Sequence, residues 1–368
     1  MKKLIFIFLI GGLTLAASMA WYSSLRFKQT PRTDLKIDPS ESKAVIAQLE
    51  NDVEELAGKI GARSTKHYEN LQKASQYLQD RITQIGYEPQ LQTYDVKEHE
   101  VSNVYAVKPS ASGKKDVIVI GAHYDTQYSN PGADDNASGV AVLLALMESL
   151  KETALNTNIH FVCFVNEELP HSHSPDMGAW RYAKFIAEQN VPVTGMISLE
   201  SVGYFDSKKG SQRYPFKFLA LMYPDAGDFI AVVGNLNSAR LVGSITDAFQ
   251  SGSPLKTEGA VLPQFIRDIG RSDHAPFWKR GFQAVMVTDT ANFRNHNYHQ
   301  PTDHPHTLDY KNVPSIPGYQ AVPGHTLTRC ENPQDQEFLK AGKKNPTKPA
   351  GCATIQVKTR RRIHAHMS

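Results

Sequence analysis

Acids and histidines recur at the ends of apolar runs in this chain. DVIVIGAHYDT closes on His123, with Asp125 two positions on. A metal-bound imidazole usually needs a partner for its second ring nitrogen, so Asp125 fits as the group that orients His123. PGADDNASG sets Asp134 and Asp135 between a glycine turn and a helix start. A helix cap needs one such residue, and Asn136 or Ser138 would serve; two consecutive acids exceed that need, and Asp134 is the expected ligand. VNEEL ends a further run with Glu167 and Glu168. Adjacent like charges beside a buried strand are costly unless cations compensate them. One glutamate can then bind metal while the other acts as a base. ISLESVGYF contributes Glu200, and NYHQPTDH contributes His299, with His296, His304 and His306 as nearby competitors. Imidazole and carboxylate suit zinc. Two metals need five or six protein ligands including a bridge. His123, Asp134, Glu168, Glu200 and His299 make that set, and Glu167 remains as the base.

Apolar runs of strand length position these groups. They fall at 116–123, 158–166, 193–200, 228–234 and 282–289, with alternating strands near 90–96 and 103–108. Helical spacing covers 41–61, 66–86, 137–150, 177–189 and about 237–250. Apolar strands alternating with helices imply an α/β fold: a mixed, mostly parallel central sheet flanked by helices on both faces. Sites in such folds lie at the C-terminal ends of the strands, where the acids and histidines stand.

The 368 residues, 40% hydrophobic and 21% charged, suffice for a large core and exclude a mainly disordered chain. Three cysteines, Cys163, Cys330 and Cys352, exclude a disulfide-dense scaffold and a cysteine-rich zinc module. The net charge of +3 misleads about the body of the chain. From Lys340 onward there are eight Lys and Arg and no acid, so the remainder is net acidic. With no recognisable nucleic-acid motif, nucleic-acid binding is not expected.

Met1-Lys2-Lys3 precedes an apolar run from Leu4 to Tyr22, as in an export signal. Ser18-Met19-Ala20 offers small residues for cleavage, and about 19 apolar residues would also suffice to span a bilayer uncleaved. The expectation is an exported protein, periplasmic or extracellular, or one anchored to the membrane by residues 4–22. Residues 1–22 are therefore read as signal or anchor and 23–40 as a linker. The catalytic domain is read at 41–312 and a Pro/Gly/basic tail at 313–368, where Cys330 and Cys352 could pair.

GAHYDT, PGADDNASG, NEE, ISLESVGY, SDHAPF and YHQPTD, in this order, resemble the M28 family of zinc aminopeptidases. YPDAGDFIAVVGN looks like a bacterial branch of exported members. The match spans about residues 41–312. The resemblance implies a phosphorylase/hydrolase-like fold of the zinc exopeptidase type and a co-catalytic site for two Zn2+ ions. By position, Asp134 bridges both zincs, His123 and Glu200 join it on one, and Glu168 and His299 hold the other. Glu167 is the general base and acid, acting on peptide substrates. Family members commonly have Asp where Glu200 stands. A cis peptide bond is implied after the bridging acid, here Asp134-Asp135. SDHAPF suggests that Asp273 and His274 orient ligands or substrate, or simply cap a helix. Members usually continue into a final apolar-faced helix; this chain departs after Asn312, downstream of every ligand.

Two other readings keep the scaffold. One is a mononuclear-zinc enzyme that cyclises N-terminal glutamine. The other is a metal-free binding ectodomain, which should have lost ligands that this chain retains.

Overall fold

The computed structural model of the chain describes residues 39–312. Helix α1 (Pro39–Val53) runs on into a wider turn over Glu54–Ile60, and α2 (Tyr68–Ile85) follows. Gly86 ends α2 in the left-handed region (φ 99°), where its N–H reaches the carbonyls of Ile82 and Thr83. Then come β1 (Gln90–Val96), β2 (His99–Lys108), β3 (Val117–His123), α3 (Gly139–Leu150), β4 (Asn158–Phe164), α4 (Gly178–Glu188) and β5 (Val193–Glu200). The chain completes with β6 (Phe229–Gly234), α5 (Ala239–Gly252), β7 (Lys256–Val261), α6 (His274–Lys279) and β8 (Ala284–Thr288).

The eight strands form one sheet in the order β1-β2-β4-β3-β5-β8-β6-β7. The centre, β4-β3-β5-β8, is parallel. β1, β2 and β4 pair antiparallel, β6 runs antiparallel to β8, and β7 lies parallel to β6. The sheet is therefore mixed around a parallel core, as expected. Its two faces are buried separately. Ile118, Ile120 and Ala122 of β3 face α1, α2, α3 and α5, through side chains such as Leu49, Leu78, Val140 and Phe249. Val117 and Val119 face α4 and α6, through Tyr182, Ile186 and Phe277. Alternate residues of one strand feed opposite cores, which explains its unbroken apolar spelling.

Several boundaries differ from expectation. α1 opens at Pro39, inside the expected linker 23–40. β2 starts at His99 because Val96 pairs with His99 in a hairpin, with Lys97 at φ 55° in the turn. β7 and α6 have no counterpart in the periodicity. β7 spells KTEGAV, too polar to read as a buried strand, and α6 is only six residues long. Residues 4–22, Cys330, Cys352 and the tail 313–368 lie outside the described residues. Among the described residues no helix is long and apolar enough to cross a membrane.

Candidate metal centre

After β3 the chain goes to β4 on one side of the sheet and later to β5 on the other. The crevice beyond the C-terminal ends of these strands is the switch point where α/β folds place ligands. His123 is the last residue of β3, Glu200 the last of β5, and Glu167–Glu168 follow β4. Asp134–Asp135 precede α3, and His299 lies in the segment after β8.

Two clusters of potential ligand atoms form there, each within 4.8 Å: His123, Asp135 and Glu200, and Asp135, Glu168 and His299. His123 Nε2 lies 3.2 Å from Asp135 Oδ1 and 3.3 Å from Glu200 Oε2. His299 Nε2 lies 2.9 Å from both Asp135 Oδ2 and Glu168 Oε1. Asp135 thus gives one oxygen to each cluster. His123, Asp135 and Glu168 are buried and His299 is half-buried, yet His123 Nε2, both Asp135 oxygens, Glu168 Oε1 and His299 Nε2 have no hydrogen-bond partner. Buried polar atoms are seldom left so. Their types and convergence fit zinc, and three protein ligands per ion is the pattern of catalytic zinc, which keeps a position open.

The carboxylate common to both clusters is Asp135, not the expected Asp134. Successive side chains along non-helical backbone point to opposite sides, and Asp135 has φ −112° and ψ 90°. Asp134 is claimed elsewhere. Its Oδ1 accepts the Gly203 N–H at 2.9 Å, and its Oδ2 accepts the Asn295 amide at 2.7 Å. Burial, and then the facing Asp289 carboxylate, push the Asp134 carboxyl far above the usual range. The cis peptide bond likewise lies one residue later than expected, at Asp135-Asn136 rather than Asp134-Asp135.

Two distant aspartates set the ligand loops by the same device. Asp125 accepts the N–H groups of Glu167 and Glu168 at 3.0 and 3.1 Å. Asp303 accepts those of Asp134 and Asp135 at 3.0 and 3.2 Å. Asp125 also stands 3.6 Å from His123 Nδ1, and its carbonyl lies 3.2 Å from that nitrogen. The carbonyl, rather than the expected carboxylate, is within hydrogen-bond distance of His123, and the carboxylate fixes the glutamate pair. Gly132, at φ 64°, opens the second loop; a Cβ there would come within 2.5 Å of the Asp135 carbonyl oxygen. Fully buried Arg63 donates to the carbonyls of Tyr124, Pro131 and Gly132, joining the loop after β3 to the Asp134–Asp135 loop.

Burial pulls the His299 pKa down, but the facing Asp135 and Glu168 carboxylates prevail and carry it up to about 10. Burial pushes Glu168 up to about 7, with Asp135 adding to it and His299 opposing. For Asp135 burial also acts upward, but the facing His123 and His299 rings hold its carboxyl well below the usual range. Glu167 belongs to neither cluster. Its Oε2 is 4.0 Å from His123 Nε2, and burial raises its pKa well above the ordinary value, against the pull of His123.

Glu200 Oε2 accepts the Ser272 hydroxyl at 2.7 Å, which steadies the longer arm. Of the competing histidines, His296 lies 3.3 Å from the Tyr204 hydroxyl, and His304 stacks on His306. Asp273 is fully buried, and neither of its carboxylate oxygens has a hydrogen-bond partner. His274 is engaged by the Ile269 carbonyl at 2.6 Å and by the edge-on Trp278 ring. Of the two expectations for His274, these contacts fit the structural one. Sequence reasoning missed Asp303, Arg63, Ser272, Asn295 and Tyr298, whose ring stacks on His299 at 3.9 Å. Asp303 alone left a signal, as the acid closing YHQPTD.

Residues 103–317 match the family model described as Peptidase family M28. The uncharacterized protein YfbL of Escherichia coli K12 is 35% identical over 324 residues, covering 86% of this chain and 96% of that one. Among solved structures, BSAP, a zinc aminopeptidase from Bacillus subtilis, aligns with a TM-score of 0.60 at 14% identity, over 74% of this chain and 93% of that one. The glutaminyl cyclase of Fimbriiglobus ruber aligns at 0.54 with 18% identity, over 79% and 97%. Both structural likenesses concern the fold.

Proposed function

The chain belongs to peptidase family M28 and is a zinc-type metallopeptidase, and from that premise we propose that it is a co-catalytic dizinc aminopeptidase. The observation that carries this reading is Asp135, one carboxylate shared by two separate three-ligand clusters. His123, Asp135 and Glu200 would hold one ion, and Asp135, Glu168 and His299 the other. Zinc bound there supplies Lewis acidity, polarising a peptide carbonyl and acidifying water. Glu167 takes the proton of the attacking water and returns it to the leaving amine. Two features suit it to that task. Its backbone is pinned by Asp125, and burial raises its proton affinity above that of a free glutamate. Asp125 acts as a positioning residue. The buried Asp273 carboxylate stands near enough to Glu167 to raise its pKa.

The glutaminyl-cyclase fold is shared, but a mononuclear enzyme would have no use for the second complete cluster. The apolar run from Leu4 to Tyr22 supports export, or retention at a membrane, as part of the same reading.

The test is zinc content per folded chain, paired with release of aminoacyl-arylamides with and without chelator. Two zincs and chelator-sensitive release are expected. One zinc without release overturns the reading in favour of the cyclase-like enzyme, and a folded chain without zinc overturns it in favour of a binding module.

A further inference from the structure

Four of the eight large apolar side chains exposed among the described residues stand on two stretches that border one cavity. Phe216, Phe218 and Leu221 lie between β5 and β6, and Phe265 lies between β7 and α6. Tyr214, Pro215 and Leu219 of the first stretch and Leu262, Asp268 and Ile269 of the second line the cavity beside Glu200. The first stretch is tied down. The Asp206 N–H reaches the Gly227 carbonyl at 2.9 Å, and the Gln212 N–H reaches the Asp225 carbonyl at 3.1 Å. The Tyr223 hydroxyl donates to the Gly259 carbonyl at 3.1 Å. Leu219 and Tyr223 are buried, yet Leu221 between them is 86% exposed. The Phe216 and Phe218 rings stack on each other at 5.7 Å, and Phe265 is 85% exposed.

The same stretches concentrate positive charge. Lys208, Lys209, Arg213 and Lys217 lie on the first, and Arg267 and Arg271 on the second, all exposed. Within residues 206–222 and 263–271 only Asp206 and Asp268 oppose them, and Asp268 faces Arg271 at 3.9 Å. The chain before Lys340 is net acidic, so this basic surface runs against the charge of the body that carries it. Apolar tips and cations on one border mark a surface that meets something both apolar and anionic.

We propose that this surface docks on an anionic phospholipid bilayer, with Phe216, Phe218, Leu221 and Phe265 entering the boundary between headgroups and acyl chains. The lysines and arginines then face the lipid charges. Lysine suits that boundary, because its stem lies along apolar surface while its ammonium stays with the headgroups. A second copy of the chain fits less well, since a two-fold contact would set the cations against their own images. The sequence brings a bilayer close by a separate route. The apolar run at 4–22 is long enough to span one, and residues 23–38 between it and α1 reach at most about 55 Å. Docking carries the border of the cavity beside Glu200 to the lipid surface. The inference stands apart from the aminopeptidase reading.

The test must be local, because residues 4–22 alone would suffice to hold the full chain on vesicles. The full chain is placed on vesicles of phosphatidylcholine, or of phosphatidylcholine with about one-third phosphatidylglycerol as the anionic lipid. Amide hydrogen exchange is then read over 206–222 and 263–271. Exchange there should be at least about fivefold slower on the anionic vesicles than on the neutral ones, the worth of one basic residue at such a surface. High salt should erase the difference. The combined substitution Lys208→Glu, Lys209→Glu and Lys217→Glu should abolish it too, while exchange of the β3, β4 and β5 amides stays as in wild type and shows the fold intact. Phe218→Ser with Leu221→Ser should weaken the protection on anionic vesicles. Equal exchange on both kinds of vesicle, or protection that survives the charge reversal, overturns the docking. Protection that appears without vesicles and grows with chain concentration also overturns it and assigns the surface to a second copy.

Discussion

Glu167–Glu168 and Asp134–Asp135 are both vicinal acids on loops whose N–H groups are gripped by a distant aspartate, yet they are used differently. The glutamate pair sends both carboxylates toward the centre. Glu168 joins a cluster, and Glu167 stays outside the clusters at 4.0 Å from His123. The aspartate pair sends only Asp135. Asp134 turns into the protein, to the Gly203 N–H and the Asn295 amide. Arm length contributes, since a longer side chain can return to a common point from either side of the backbone. The surroundings decide the rest. Donors already wait for Asp134, whereas the Glu167 carboxylate reaches to 4.0 Å from His123 Nε2. A charged doublet therefore announces a site without saying which member serves it.

The comparison can be broken by substitution. The largest effect is expected from Asp135→Asn, which removes the carboxylate common to both clusters. Zinc content should collapse and activity fall below detection; a variant that keeps both zincs would show that Asp135 does not bridge. Glu167→Gln should keep zinc and lose about 10²–10⁴-fold in kcat, the usual worth of a general base, and unaltered kcat would remove it from that role. Asp125→Asn and Asp303→Asn leave every ligand in place and loosen one loop each. A loss of about 10–100-fold in zinc affinity or activity is expected for such positioning groups, read by zinc-buffer titration. If one variant is silent, the parallel between the loops fails on that side. The smallest catalytic effect belongs to Asp134→Asn. Buried hydrogen bonds are disturbed, so unfolding in urea should show a loss of about 1–3 kcal/mol. Zinc content and kcat should stay near wild type. A loss of zinc equal to that of Asp135→Asn would reinstate Asp134 as a ligand.

Much of this was legible before folding was considered. Strands β3, β4, β5, β6 and β8 are spelled by continuous apolar runs because both sheet faces are covered. β7 was illegible because Glu258 and Lys256 interrupt it. His123, Glu168, Glu200 and His299 were each readable as a ligand type at a strand end. His299 stood among three rivals, and only the fold brings it to Asp135.

The sequence by itself determined the inventory: which residues can bind zinc, that they close successive strands, and that they follow the order of family M28. Those properties depend on residue type and local spacing, which the chain carries unfolded. The tertiary structure alone decided which aspartate is common to both clusters and which two loops Asp125 and Asp303 hold. Each of these is a contact between residues tens of positions apart or more. It is set by strand register and by competition for hydrogen-bond donors, and no local pattern encodes either.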